Sequence, residues 1–275
     1  MSPRWPGWPK KKSRRSAALA LLLVGLAALA LPACSDPARD RFEAAEKALQ
    51  EQKMDDALLG YRSIPRDFPQ SRYAPTALLR QGELFGDYHR NYTAALEAYE
   101  SLVFNYPRAS ETPRALLRKG EILLLHFLDY AAAAESLESV RRQFPEFAGM
   151  DEVLLLLAKA YAGMPDPPRQ AAVLTGLIGT FPDSPRAAEG RWMLAYGYLA
   201  QGKFLEADRE FRKLLYLAAD RKSAARARWG MAQALEGLGR LSAAVEQYEA
   251  IGSDGEDPAY LSEKIDRLKG RLKEQ

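Results

Sequence analysis

The chain has 275 residues, of which 47% are hydrophobic and 27% charged, a composition that excludes disordered, collagen-like and disulfide-stapled proteins. Its formal charge of +3 is misleading, because six of its 39 Lys and Arg residues precede the first carboxylate, Asp36. The other 33 are outnumbered by 36 Asp and Glu, so the rest of the chain is slightly acidic and a nucleic-acid partner is not expected.

The N-terminus has the three zones of a secretory signal. A basic stretch at Lys10–Arg15 precedes an apolar run at Ala17–Leu31, and the small residue Ala33 marks a cleavage site. A membrane-spanning helix needs roughly 20 apolar residues, so a cleaved signal is favoured over a permanent span. We therefore predict a signal peptide at residues 1–33, a short linker at 34–40 and a mature domain beyond it.

The residues at the cleavage site resemble the lipobox of bacterial lipoproteins. Leu31, Pro32 and Ala33 precede Cys34, which is the one cysteine of the chain. The resemblance implies lipidation of Cys34, with palmitate among its acyl groups. Because Ser35 rather than aspartate follows the cysteine, the sorting rule of enteric bacteria implies an outer-membrane protein that faces the periplasm.

Two series of residues repeat along the mature chain with a period of 36 to 38 residues. An aromatic residue followed by proline recurs at Phe68–Pro69, Tyr106–Pro107, Phe144–Pro145 and Phe181–Pro182. A small residue flanked by bulky ones recurs at Ala57, Ala95, Ala133, Ala171, Ala207 and Ala244. Proline ends a helix, and bulky residues around a small one at helical spacing indicate a packed helix face.

A second amphipathic helix lies between each proline and the next alanine. These helices are expected at Ala77–Phe85, Ala115–Leu125, Val153–Tyr161, Gly190–Leu199 and Arg226–Leu238. Gly82 and Gly120 stand thirteen residues after a proline, where close helix contact explains a glycine inside a helix. The sequence thus predicts an all-α solenoid of about six helix pairs over residues 41–252. A loop and a C-terminal capping helix follow at 253–275, and the turn carrying Pro165, Pro167 and Pro168 is expected to be longer than the others.

This pattern resembles the tetratricopeptide repeat family. Gly202, Phe204, Ala207 and Phe211 match the turn and second helix of its two-helix unit. The lipobox and the string from Phe181 to Ser184 are similar to the BamD-like lipoproteins of outer-membrane protein assembly. That resemblance implies a protein-protein interaction scaffold, and the same strings occur in repeat adaptors of the Tol–Pal system.

A solenoid places the first helix of each pair on its concave side, where it can bind an extended or helical peptide. The candidate groove consists of two rows of residues, at the tenth and fourteenth positions after each proline and after Ala219, which replaces the fifth proline. These residues are Leu79, Glu83, Leu117, Glu121, Leu155, Lys159, Trp192, Tyr196, Trp229 and Gln233. If both rows face the groove, its N-terminal half is acidic and aliphatic and its C-terminal half aromatic. The alternative for Trp192 and Trp229 is packing between neighbouring repeats, since regularly spaced aromatic residues more often belong to a core than to a binding surface.

No pattern of residues indicates an enzyme. His89 and His126 are the two groups that titrate near neutral pH, and no serine or cysteine nucleophile motif lies beside either. We expect no cofactor, no metal and no small-molecule substrate. The partners are then other envelope proteins in the groove and the membrane through Cys34, in outer-membrane protein assembly or, alternatively, in Tol–Pal function, cell division, secretion or pilus assembly.

Overall fold

A computed structural model of the chain describes Ser2 and residues 36–252 and 257–274. In these residues it has thirteen α-helices and no strand, which confirms the predicted all-α repeat fold. Short turns join the two helices of each pair, so that they pack against each other and run antiparallel. The pairs are α1 (Pro37–Gln50) with α2 (Met54–Asp67), α3 (Ala74–Glu83) with α4 (Tyr92–Asn105), α5 (Thr112–Ile122) with α6 (Tyr130–Gln143), α7 (Met150–Gly163) with α8 (Pro167–Thr180), α9 (Pro185–Ala200) with α10 (Phe204–Tyr216), and α11 (Arg221–Gly237) with α12 (Leu241–Glu249), followed by α13 (Pro258–Lys273).

The helices divide into two compact units, residues 1–74 and residues 75–275. In the first unit, α1 begins at Pro37 with the Asp36 carboxylate as its N-cap, so helix starts inside the predicted linker at 34–40. The predicted signal peptide and Cys34 lie outside the described residues. Gly60 of α2 approaches Ala45 of α1 so closely that an added Cβ would lie 2.8 Å from the Ala45 Cβ. Small residues thus set the spacing of this pair.

Four second helices end in the same way, as the aromatic-proline dipeptides predicted. The residue that follows each helix is Phe68, Tyr106, Phe144 or Phe181, with φ between −127° and −135° and ψ between 55° and 59°. Proline comes next, and a residue before proline is disfavoured in the α region. Each dipeptide therefore stops one helix and turns the chain toward the next pair.

Five of the six alanines in the series are buried, and one is not. Ala57, Ala95, Ala133, Ala207 and Ala244 are fully buried, whereas Ala171 of α8 is partly exposed. In α8 the fully buried residues are Leu174 and Leu177, which lie four and seven residues after Gln170. Gln170 therefore occupies the position of the alanine, and the predicted register of α8 was wrong by one residue.

Two helices each contain an extra residue, which the structure takes up as a π-helical turn. These turns are Leu84–Tyr88 after α3 and Leu123–Phe127 after α5. They lie in the two repeats whose prolines are 38 residues apart, whereas the next repeat, from Pro145 to Pro182, spans 37 and contains none. A π turn is a common way to insert one residue into a helix, so it explains the uneven period.

The proline-rich turn of the fourth pair is as long as four of the other five turns. It comprises residues 164–166, as many as the turns at 201–203 and 238–240. Pro167 and Pro168 are the first two residues of α8, where proline is favoured because its missing N–H is not needed. The expectation of a longer turn was wrong, since two of its three prolines belong to the helix.

In the second unit the first helices of successive pairs contact one another. Contacts join α5 to α7, α7 to α9, and α9 to α11. Together with α3, whose Glu83 pairs with Arg114 of α5, these helices form a layer that carries the predicted groove residues and that we call the inner layer. The C-terminal helix α13 packs on α12 through the buried Leu261 and Leu268, and it thus covers the last pair.

Candidate protein-binding surface

The three leucines of the predicted groove are core residues. Leu79, Leu117 and Leu155 are 8%, 6% and 5% exposed and belong to the hydrophobic clusters between helices. The tenth position after each proline therefore turns toward the neighbouring helices in these three repeats. The predicted aliphatic lining of the N-terminal half is corrected accordingly.

The glutamates of the N-terminal half are neutralised by arginines. Glu83 is paired with Arg80 at 3.0 Å and with Arg114 of α5 at 3.1 Å. Glu121 is paired with Arg118 at 2.6 Å, and Arg118 also reaches Asp87 at 2.6 Å. Although burial opposes it, the carboxylates of Glu121 and Asp87 raise the pKa of Arg118. This half is thus not an acidic surface, because its carboxylates pair with arginines of the same helix and of the next first helix.

Ion pairs also join α7 to α9. Lys159 contacts Glu189 at 2.8 Å, and Arg186 contacts Glu152 at 2.8 Å and Asp151 at 3.3 Å. Burial of Asp151 opposes its ionisation, but hydrogen bonds from Ser184 and Arg186 lower its pKa. Lys159 is therefore held by a neighbouring helix, and its charge is already balanced.

The aromatic part of the predicted groove forms a cluster on α9. The Trp192 and Tyr196 rings are stacked with centroids 6.1 Å apart, and Tyr196 packs edge-on against the buried Phe211 at 5.1 Å. Both rings are partly exposed. Trp192 and Tyr196 therefore each have one side in the core and another exposed to solvent. Trp192 thus packs between repeats and also forms part of the surface.

An arginine of the next pair covers this cluster. The Arg226 guanidinium lies 4.4 Å from the Trp192 ring centroid and 5.5 Å from that of Tyr196, within cation–π distance. Arg226 is itself exposed. We define the aromatic platform as Trp192, Tyr196 and Arg226. The sequence prediction missed Arg226, although the four basic residues between 221 and 228 were a signal for it.

Trp229 and Gln233 extend this surface along α11. Trp229 packs edge-on against Tyr248 of α12 at 5.0 Å and is tilted against Tyr260 of α13 at 5.8 Å. Its main contacts are thus with the C-terminal core. Gln233 follows one turn later and is partly buried. Both are secondary to the aromatic platform as contact residues.

Both histidines pack against tyrosine rings. His126 stacks on Tyr92 with ring centroids 3.6 Å apart, and His89 lies edge-on to Tyr88 at 4.9 Å. Both histidines are exposed at the ends of the π turns. Within the residues that the structure describes, no group of three or more His, Cys, Asp or Glu residues is placed to hold a metal ion.

None of the helices in the described ranges is both long enough and apolar enough to cross a bilayer. Cys34 and the apolar run before it lie outside these ranges, so their roles stay predictions.

The sequence and the fold were compared with those of known proteins. Residues 87–146 and 192–258 match the family described as tetratricopeptide repeat. None of the curated proteins in the comparison matches the chain. The second matched segment contains the aromatic platform, so this surface lies in a part of the chain that is similar to tetratricopeptide repeats.

Several solved structures share the fold at low sequence identity. MamA from Desulfovibrio magneticus RS-1 is 19% identical, with a TM-score of 0.54 over 67% of this chain and 97% of that one. PilW, described as a widely conserved type IV pilus biogenesis factor, is 15% identical, with a TM-score of 0.52 over 84% and 100%. YrrB, described as a TPR protein with an unusual peptide-binding site, is 13% identical, with a TM-score of 0.59 over 75% and 97%. These likenesses show the tetratricopeptide-like fold.

Proposed function

We propose that this chain of tetratricopeptide repeats is a lipid-anchored envelope scaffold that holds a partner polypeptide against the inner layer at α9 and α11. The observation that carries the proposal is the aromatic platform. Two partly exposed rings and an exposed arginine lie together on the surface of two successive first helices. Trp, Tyr and Arg are the residues that most often dominate binding energy at protein interfaces.

The rest of the inner layer is less suited to a partner. Its leucines are buried, and its charged side chains pair with one another from α3 to α9. A partner would gain little from an ion pair that is already made, since breaking it costs what the new contact returns. The aromatic platform is therefore where we place the main contact. YrrB, whose description mentions a peptide-binding site, supports a peptide partner for this fold.

The anchor and the location rest on the sequence. The lipobox at Leu31–Cys34 supports lipidation of Cys34, and Ser35 supports the outer membrane, with the repeats in the periplasm. A triacylated cysteine holds a protein stably, since each buried CH₂ contributes about 0.8 kcal/mol. The scaffold would then act beside the membrane and would not itself catalyse a reaction.

The lipobox together with BamD-like repeats favours a role in outer-membrane protein assembly. A second candidate is pilus assembly, because PilW has the same fold and is described as a pilus biogenesis factor. Tol–Pal function, cell division and secretion are further pathways of the same class. All of them require a partner protein, so the aromatic platform would serve in each.

Affinity purification from detergent-solubilised envelopes tests the binding role. The chain and its Trp192→Ala variant are purified side by side, and we expect a partner that co-purifies with the first and is lost with the second. An identical set of co-purifying proteins would contradict the proposal. Depletion of the chain then separates the pathways: loss of outer-membrane barrels indicates assembly of these proteins, whereas normal barrels with a loss of pili indicate the second candidate.

A further inference from the structure

We infer that the segment bound at the aromatic platform is acidic, with Asp or Glu side chains that pair with Arg226 and Lys222 and a large apolar side chain that packs on Trp192. The inference rests on the proposed function and names the chemistry of the partner. Its basis is the charge of α11, which differs from that of the other first helices.

Arginines of the earlier first helices have carboxylate partners. Arg114, Arg118 and Arg186 each contact Asp or Glu of the preceding first helix at 2.6–3.1 Å. Across the whole described part of the chain, by contrast, Arg221, Lys222, Arg226 and Arg228 form no ion pair with a carboxylate. Asp220 lies near enough to interact with the charge of Lys222, but it caps the N-terminus of α11 and accepts from the Ser223 N–H. The ion pairs that link α3 to α5 and α7 to α9 thus have no counterpart between α9 and α11.

The cations of α11 fall on the face that carries the aromatic residues. Lys222, Arg226, Trp229 and Gln233 follow one another at intervals of three or four residues, so they share one side of the helix. The position of Arg226 over Trp192 and Tyr196 shows that this side adjoins α9. A ligand on the aromatic platform therefore meets Arg226 directly and Lys222 one turn away.

An arginine stacked on aromatic rings is well prepared to bind a carboxylate. The rings fix the plane of the guanidinium, while its N–H groups remain at the edge and fit the two oxygens of a carboxylate. The partly buried surroundings strengthen this attraction relative to bulk water. Because Trp192 lies beneath the guanidinium, the acidic side chain should be followed or preceded by an apolar one.

Binding of matched synthetic peptides to the full chain in detergent tests the inference. The probe is a fluorescein-labelled peptide with an amidated C-terminus in which glutamates alternate with leucine and phenylalanine. The comparison peptide has glutamine in place of each glutamate. We expect the acidic peptide to bind at least about tenfold more tightly, as one charge-assisted hydrogen bond warrants, and to weaken with added salt. Arg226→Gln should remove most of this preference. Arg209→Gln, which changes an exposed arginine on α10, is the matched control and should not.

Each outcome separates the inference from the proposed function. Equal binding of the two peptides, with both lost in Trp192→Ala, would overturn the acidic ligand and leave the peptide-binding surface in place. Binding of neither peptide, or binding that Trp192→Ala leaves unchanged, would overturn both. Displacement of the acidic peptide by a single-stranded oligonucleotide at equal concentration would overturn the acidic polypeptide in favour of a phosphate ligand.

Discussion

The guanidinium of Arg226 lies 4.4 Å from the ring centroid of Trp192, which belongs to the preceding helix pair. This contact crosses from α11 to α9 where no ion pair among the described residues does. A partner that displaces or joins the guanidinium would touch both pairs at once. For this reason we propose α9 and α11 as the place where a partner binds.

Helix spacing within a pair depends on glycines that face large side chains. A Cβ added to Gly82 would lie 2.2 Å from Cε1 of the buried Tyr99. We therefore expect Gly82→Ala to lower the free energy of unfolding by about 1–3 kcal/mol, as overpacking does. Gly176→Ala is the control: nothing that the structure describes lies within 4 Å of its Cβ, and alanine should raise stability by up to about 1 kcal/mol. Urea titration measures both, and equal effects would contradict the packing argument.

The π turn after α5 should tolerate the loss of one residue. Deleting the exposed Leu125 would let Leu123–Phe127 form an ordinary helical turn and give this repeat the period of the next one. The deletion variant should unfold cooperatively and keep its helical circular dichroism. Deleting Tyr198 in α9 is the comparison, because it rotates the rest of a regular helix by about 100° and should cost several kcal/mol more. A larger loss for the Leu125 deletion would contradict the account of the period.

The buried tyrosine of the last pair should make the protein sensitive to alkali. Burial and the neighbouring Glu236 raise the pKa of Tyr248 above its ordinary value of 10, and its hydroxyl donates to Glu236 at 2.7 Å. Below pH 10 this contribution to stability is complete. As the pH rises further, the unfolded chain releases the proton first, and stability falls.

Tyr248→Phe tests this sensitivity. The variant should lose about 1 kcal/mol near neutral pH and show a flatter decline of the urea midpoint above pH 10. Tyr216→Phe, which alters a ring that is 89% exposed on α10, should leave the profile unchanged. A profile of Tyr248→Phe that runs parallel to that of the parent would argue against the buried phenol.

The proposed lipidation of Cys34 predicts that the chain carries palmitate at this residue. Cells that produce the parent chain should incorporate radiolabelled palmitate into it, and Cys34→Ala should abolish the label, since Cys34 is the one thiol of the chain. Ser35→Asp should keep the label and, by the enteric sorting rule, move the protein to the inner membrane. Label that persists in Cys34→Ala would exclude the proposed anchor.

The sequence was sufficient to predict the helix pairs, because proline, alanine and bulky residues recur with the repeat and mark helix ends and contacts locally. The sequence prediction failed where the repeat spacing fitted more than one local structure. In α8, the repeat spacing pointed to Ala171 as the buried small residue. Because Leu174 and Leu177 face the core, Gln170 occupies that position instead. The extra residue before Tyr88 and that before Phe127 were visible as a longer period, yet nothing local indicated a π turn.

The candidate surface was predicted less well, since side-chain pairing depends on neighbours that are distant in sequence. Glu83 looked like a free acid until Arg114, from the next pair, was found beside it. Leu155 looked accessible because helical spacing alone does not say which neighbour covers a face. Trp192 and Tyr196, which the sequence predicted as groove residues, stack on each other in the structure, whereas Arg226 became visible only through the contact between α9 and α11.

The central claim is that the aromatic platform holds a polypeptide, and photocrosslinking in cells tests it most directly. A photoreactive amino acid at position 196 leaves Trp192 and Arg226 intact, and position 209 on α10 is the control. The account predicts a discrete protein adduct from position 196 that disappears when Trp192→Ala is added, and no such adduct from position 209. Adducts of equal yield from both positions, or an adduct at 196 that survives Trp192→Ala, would contradict it.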